Sequence, residues 1–195
     1  AINQAITALP AVTGAWHSVP NAEGFTRFNG DKVTTVPQVR DYFDADLIRQ
    51  RLEVSSYLHK GVKIAFENEA TGAKDVFQHS EGLTDYLKKI LVERSAVPVH
   101  EAPFAIAKES DESGLRLDLA LQWTQSTDEH VRSYVNGIPT GSGGTHENGF
   151  RAGLGKAVRN FIETHNLSPK GVTLTAEDIR EGMVVVLSVF VQEPQ

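Results

Sequence analysis

No cysteine occurs anywhere in the 195 residues. Its absence removes thiol nucleophiles, thiolate metal sites and disulfides together, and it fits a reducing compartment such as the cytoplasm. Basic residues are in the minority: 19 Lys and Arg against 25 Asp and Glu leave a formal charge of −6. A dedicated nucleic-acid-binding domain is normally basic, so DNA contact is expected to be weak and salt-sensitive at most. No apolar run approaches the ~20 residues of a membrane span, and no charged-then-apolar leader opens the chain. The one methionine is Met183 and the first residue is Ala1, which predicts a piece processed or cut from a longer polypeptide. What remains is ordinary for a globular protein, with 40% hydrophobic and 23% charged residues.

Residues 1–41 are expected to be irregular, because Pro10, Pro20 and Pro37 interrupt any long helix and only "KVTTV" (32–36) reads as a strand. Residues 42–195 carry regular patterns. Asp44 is a good N-cap for a helix whose Ile48, Leu52, Ser55 and Leu58 share a face, and Gly61 stops it. "VKIAFE" and "DVFQH" flank a hairpin turn, and "EGLTDYLKKIL" repeats its apolar residues at helical spacing. Strands follow at 104–109, 115–123 and 130–135. Leu115, Leu117, Leu119 and Leu121 alternate, as in an antiparallel strand buried on one side. The longest helix then aligns Phe150, Leu154, Ala157, Val158, Phe161 and Ile162, with Lys156, Arg159, Asn160 and Glu163 opposite. Thr175 and Asp178 offer a capping box, and "MVVVLSVFV" reads as a buried central strand. Strands followed by packed helices, without strict alternation, indicate a two-layer α+β domain.

The stretch "GIPTGSGGTHENGF" (137–150) concentrates five glycines with Thr145, His146 and Glu147. A phosphate-binding P-loop would need a lysine after the last glycine of the cradle, and none follows Gly144. A dinucleotide fingerprint also needs a ribose-binding acid about 20 residues on. His146 and Glu147 are residue types suited to acid–base or metal chemistry, yet the seven histidines show no HxH or HExxH pair, and no GxSxG elbow occurs. The remaining reading is a connector whose Thr145 caps the following helix. Asp178, Arg180 and Glu181 sit where the chain enters its last strand, so they either pair with neighbouring charges or meet another domain. Lys88, Lys89, Lys156 and Arg159 are the candidates for contact with a phosphate backbone.

Two segments go further. "LALQWTQSTDEHVRSYVNGIPTGSGGTHENGFRAGL" (119–154) and "LTAEDIREGMVVVLSVFVQEPQ" (174–195) closely resemble the transducer domain of type IIA topoisomerase B subunits, DNA gyrase B and its topoisomerase IV counterpart. The matching pieces are "ALQW", "NGIPT", "GGTH…GFR" and "EDIREG" followed by an apolar strand. "FDADLIRQRLEVSSYLHKGVKI" (43–64) looks like the family's helix after its ATPase domain. No resemblance to the family is expected over residues 1 to about 30, and the family's Asn and Glu for Mg-ATP and its glycine-rich lid are not expected in this chain.

The resemblance implies a two-layer sandwich, a mixed, mostly antiparallel sheet with helices on one face. It implies a fragment that couples ATP binding and hydrolysis to DNA strand passage, inert toward ATP in isolation. ATP and Mg would belong to the parent protein, with no cofactor or metal in this chain. The implied partners are the ATPase and cleavage-core domains of the B subunit, a gyrase A-type subunit and DNA, with the isolated chain monomeric. By the same analogy Thr145, His146 and Arg151 would hold the corner between loop and helix, and Asp178, Arg180 and Glu181 would brace the last strand. A stand-alone relative that docks on a topoisomerase or on DNA is the alternative.

Overall fold

The computed structural model describes residues 44–110, 114–167 and 171–192, together with strand segments at 16–18, 25–29 and 32–36. The chain divides into two units, Ala1–Arg51 and Leu52–Gln195.

The first unit holds a three-stranded antiparallel sheet of β1 (Trp16–Ser18), β2 (Phe25–Asn29) and β3 (Lys32–Val36), with β2 in the middle. The strand expected at 32–36 is present, and two more precede it where irregular chain is expected. β1 is three residues long, too short to leave an alternating pattern. Helix α1 (Ala45–Leu58) begins at Asp44, whose carboxylate accepts from the backbone N–H groups of Asp46 (2.9 Å) and Leu47 (3.0 Å). Asp44 is therefore the expected N-cap, satisfying donors that the first turn leaves without partners.

In the second unit, β4 (Lys63–Asn68) and β5 (Ala73–Gln78) form an antiparallel hairpin. Asn68 Oδ1 accepts from the Ala70 N–H across its turn (3.0 Å). Helix α2 (Leu83–Glu93) follows. The main sheet has five strands: β6 (Phe104–Ser110), β7 (Leu115–Trp123), β8 (His130–Val135), β9 (Ile138–Pro139) and β10 (Met183–Phe190). They lie in the order β6-β7-β10-β8-β9. β10 runs parallel to β8, and the other three pairings are antiparallel. Between β9 and β10 the chain makes helices α3 (Thr145–Thr164) and α4 (Ala176–Arg180).

The α+β class and the mixed, mostly antiparallel sheet agree with expectation; the placement of the helices does not. On one face Ala120, Tyr134, Val184 and Val186 pack with Tyr57 and Leu58 of α1 and Leu83, Tyr86, Leu87, Ile90 and Leu91 of α2. On the other, Leu119, Leu121, Val185, Leu187 and Val189 pack with Phe150 and Leu154 of α3. Helices thus cover both faces. The residues of β10 from Met183 to Val189 are all buried, so side chains of both parities leave water, as a strand between two layers requires. Full burial of an aliphatic side chain such as Leu87 or Ile90, both 0% exposed, contributes about 1.5–3 kcal/mol.

The two helix layers differ in fit. α2 seals its face, whereas α3 stands off the sheet over an apolar groove of about 1030 Å³ lined by Phe104, Leu117, Leu121, Phe150, Leu154 and Phe161 among others. Phe161 remains 57% exposed. Where α4 turns into β10, Gly182 adopts φ 71°, and a Cβ there would stand 2.5 Å from the carbonyl oxygens of Ser126 and Thr124. Only glycine meets both demands without moving backbone.

Candidate functional site

The glycine loop ends against the start of α3, and four elements converge there. β8 and β9 are joined by the two-residue turn Asn136-Gly137, at φ 50° and 79°, values that suit the tight hairpin such dipeptides favour. The chain then reaches Thr140, and Gly143 takes φ 76° to deliver the backbone to α3. The N-cap is Gly144, in extended conformation and with no side-chain cap bond. The expected Thr145 cap is therefore overturned: Thr145 is the first helical residue, and its hydroxyl does not close the turn. Gly144 is glycine for reasons of space, since a Cβ there would lie 2.8 Å from ring atoms of His146.

A continuous set of polar contacts spans this corner. His146 Nε2 lies 3.1 Å from Thr140 Oγ1, and Thr140 Oγ1 lies 2.5 Å from Ser133 Oγ on β8. Ser133 Oγ also donates to Glu147, one of two residues buried within α3. Arg151 Nη1 donates to the other Glu147 oxygen at 3.1 Å, and Arg151 Nε donates to Glu129 at 2.8 Å. Glu129 accepts from Arg180 Nε at 3.2 Å through its second oxygen, and Arg180 Nη2 reaches Glu177 at 3.3 Å. One carboxylate just before β8 therefore holds arginines from α3 and α4 together. The bond to Glu129 is the leading reason that the Arg151 guanidinium lies above its ordinary range. Charge-assisted bonds of this kind are about twice as strong as neutral ones.

Of the residues read from the sequence, His146, Arg151 and Arg180 meet in this cluster. Thr145 is exposed at its edge. Asp178 lies apart: its carboxylate accepts from the Thr175 N–H (2.8 Å) while the Asp178 N–H donates to Thr175 Oγ1 (3.1 Å). That is the expected capping box, and the bond from the Thr175 backbone holds the Asp178 carboxyl below the usual range. Glu181 is the exposed C-cap of α4, its N–H donating to Glu177 O. Sequence reasoning misses Glu129, Ser133 and Thr140 altogether, and it weighs Glu147 only as an acid–base or metal candidate. Trp123 of the "ALQW" strand has no role in the sequence reading; its indole Nε1 donates to Ile179 O at 2.9 Å and fastens α4 to β7.

The four basic candidates do not gather into one patch. Lys88 and Lys89 lie on α2 and Lys156 and Arg159 on α3, on opposite faces of the sheet. Lys89 is engaged with Glu53 at 2.5 Å and Lys88 with Asp85 at 3.7 Å. Among the described residues no three His, Asp or Glu side chains cluster as metal ligands would, and no helix is long and apolar enough to cross a membrane.

The corner is thus a bracket of shared charges at the start of β8, and its two conspicuous polar residues, His146 and Glu147, are engaged with different partners. Comparison with known proteins gives the same architecture a context. The family model for DNA gyrase B matches residues 82–195. The DNA gyrase B subunit of Archaeoglobus fulgidus is 34% identical over 88% of this chain and 27% of its own length. The DNA topoisomerase 4 B subunit of Pseudomonas aeruginosa is 38% identical over 78% of this chain and 24% of its own. This chain accordingly spans about a quarter of the length of these curated relatives. Among solved structures, the 43K ATPase domain of Thermus thermophilus gyrase B superposes with a TM-score of 0.72 at 25% identity, covering 90% of this chain and 54% of that one. The topoisomerase IV ATP-binding domain of Francisella tularensis gives 0.65 at 25% identity over 93% and 52%. The match to the family model covers more than half of the residues, and the chain belongs to the DNA gyrase B family.

Proposed function

We propose that this chain is the transducer region of a type II topoisomerase B subunit, a cytoplasmic mechanical element that couples ATP binding and hydrolysis elsewhere in that subunit to DNA strand passage. The observation that carries the reading is the Glu129 bracket. A displacement applied to α3 or α4 reaches β8 and β10 through bonded, packed groups, and a rigid-body switch needs such an element. The partners are the ATPase and cleavage-core parts of the B subunit, a gyrase A-type subunit and, through the assembly, DNA. The separation of the basic side chains onto two faces favours a coupling role over direct DNA capture.

Alone, the chain is inert toward ATP, with ATP and Mg handled by the rest of the parent protein. Calorimetry with a nonhydrolysable analogue should therefore give no heat of binding, and a coupled assay no turnover. Tight analogue binding or steady hydrolysis would end the reading. Its positive test is exchange of this chain for the matching region of a topoisomerase B subunit. ATP-dependent strand passage should survive the exchange and fall several-fold when Arg151 and Arg180 are both changed to Ala, while ATP turnover persists. Equal loss of both activities would mean that the bracket merely stabilises the fold.

A further inference from the structure

The last strand leaves the sheet under the control of one side chain. β8 ends at Val135, and the chain turns away at Asn136 and Gly137 to form β9. β10, which runs beside β8, continues past that point. Asn136 covers the gap in three ways. Its backbone N–H donates to Val189 O at 2.9 Å. Its side-chain Nδ2 donates to Val191 O at 2.9 Å, and its Oδ1 accepts from the Val191 N–H at 2.9 Å. A primary amide offers a donor and an acceptor side by side, as a peptide group does. The side chain therefore adds one further rung to the ladder after the backbone of β8 has left it. Val191 is in turn packed against the apolar cluster under α3, and Gln192 lies against Gly114, where a Cβ would be 2.5 Å from Gln192 Nε2.

We propose that Asn136 is a positioning residue whose amide clamps Val191 and so fixes the direction in which the chain leaves β10, making the β8–β9 turn and that exit move as one body. The functional sense of this rests on the transducer reading: a relay through β10 transmits only if its end points one way. Asparagine suits the position on two counts. It tolerates the left-handed conformation at φ 50°, and it satisfies both Val191 groups. Aspartate keeps shape and conformation but sets a carboxylate against Val191 O; glycine keeps the conformation and loses both bonds.

The test uses the full 195-residue chain, whose lack of cysteine allows clean labelling. Spin labels at Lys88→Cys, an exposed position of α2, and Gln192→Cys, the exposed residue directly after the clamp, report the exit direction as a distance distribution. Amide exchange at Val191 reports the clamp itself. A single narrow distance is expected with Asn136 present and a visibly broader or displaced one in Asn136→Asp and Asn136→Gly. Val191 exchange should quicken about tenfold or more in Asn136→Gly, which removes the acceptor of its N–H, and less in Asn136→Asp, whose carboxylate still accepts that N–H, while Val185 stays protected. Asn136 is exposed, so the urea midpoint should change little, separating lost direction from lost fold. Should one variant fail to fold, the other carries the comparison. Unchanged distances in either folded variant, or unchanged Val191 exchange in a folded Asn136→Gly, overturn the proposal. The measurement involves neither nucleotide nor partner, so the clamp can fail while the transducer reading stands, and the reverse.

Discussion

Glu129 is the point where two helices share one charge, and it is the residue whose loss the corner should feel most. Its carboxylate is 25% exposed and the Arg151 and Arg180 side chains 29% and 19%, so the three are partly withdrawn from water. Removing the shared partner leaves two half-buried guanidinium groups incompletely bonded, which typically costs about 1–3 kcal/mol. Glu129→Ala should accordingly lower stability by that amount in urea unfolding. In a double-mutant cycle, Arg151→Ala and Arg180→Ala should be non-additive because they act through one carboxylate; strict additivity would show that the bracket is two unrelated surface pairs. None of this is legible in the local sequence. Glu129 occupies a polar loop without periodicity, and its partners lie 22 and 51 positions away. Arg151 and Arg180 stand out only because they fall within motifs that resemble the family's.

Among elements, α2 and α3 look alike as sequences and pack differently. Both place apolar residues at helical spacing, but α2 buries Leu83, Tyr86, Leu87, Ile90 and Leu91 whereas α3 fully buries only Glu147 and Gly155. Leu154, by its spacing a core position whose truncation costs ~2–5 kcal/mol, borders the open groove and is half-buried. The structure lowers the expectation: Leu154→Ala should cost about 1–2 kcal/mol, while Leu87→Ala, at 0% exposure, should cost about 2–5 kcal/mol. Equal costs in denaturant unfolding would mean that α3 sits closer to the sheet than described. Periodicity finds an amphipathic helix; it cannot measure how tightly the helix seats. The second helix layer is legible all the same. A strand reading Met183-Val184-Val185-Val186-Leu187 has no wet face, so a sheet covered on one side could not hold it. The cap of α3 escapes the sequence for a different reason. Thr145 is the right residue type, but the first turn is set one position earlier, where Gly144 makes room for the His146 ring.

For the molecule as a whole, a buried tyrosine and a half-buried histidine set the pH dependence expected of stability. Burial, then the neighbouring Glu53 carboxylate, pushes the Tyr57 phenol up to about 12. Between about 10, its ordinary value, and about 12 the folded chain keeps a proton that the unfolded chain has lost, so stability falls as pH rises through that window. Burial, with Arg94 and Arg132 adding, holds the His130 imidazole below its ordinary 6.5, and among the described residues its Nε2 is buried without a hydrogen-bond partner. The unfolded chain then takes up the proton first, and stability falls as pH drops below about 6.5. A urea midpoint measured across pH should form a plateau near neutrality with a decline at each end. Tyr57→Phe should flatten the alkaline limb and His130→Gln the acid one; limbs unchanged by these substitutions would assign the declines to other groups.

β10, the final strand of the described chain, lies in the middle of the five, between β7 and β8. A polypeptide emerging from the ribosome therefore presents the two flanking strands well before the piece that belongs between them. Until residues 183–190 are free, Leu119, Leu121 and Tyr134 have no β10 to shield them, and the parallel pairing with β8 must close a loop of about fifty residues. Of the five strands of this sheet, the keystone is made last. Shortening the chain by about its final dozen residues should consequently leave a collapsed, aggregation-prone polymer rather than a slightly smaller domain.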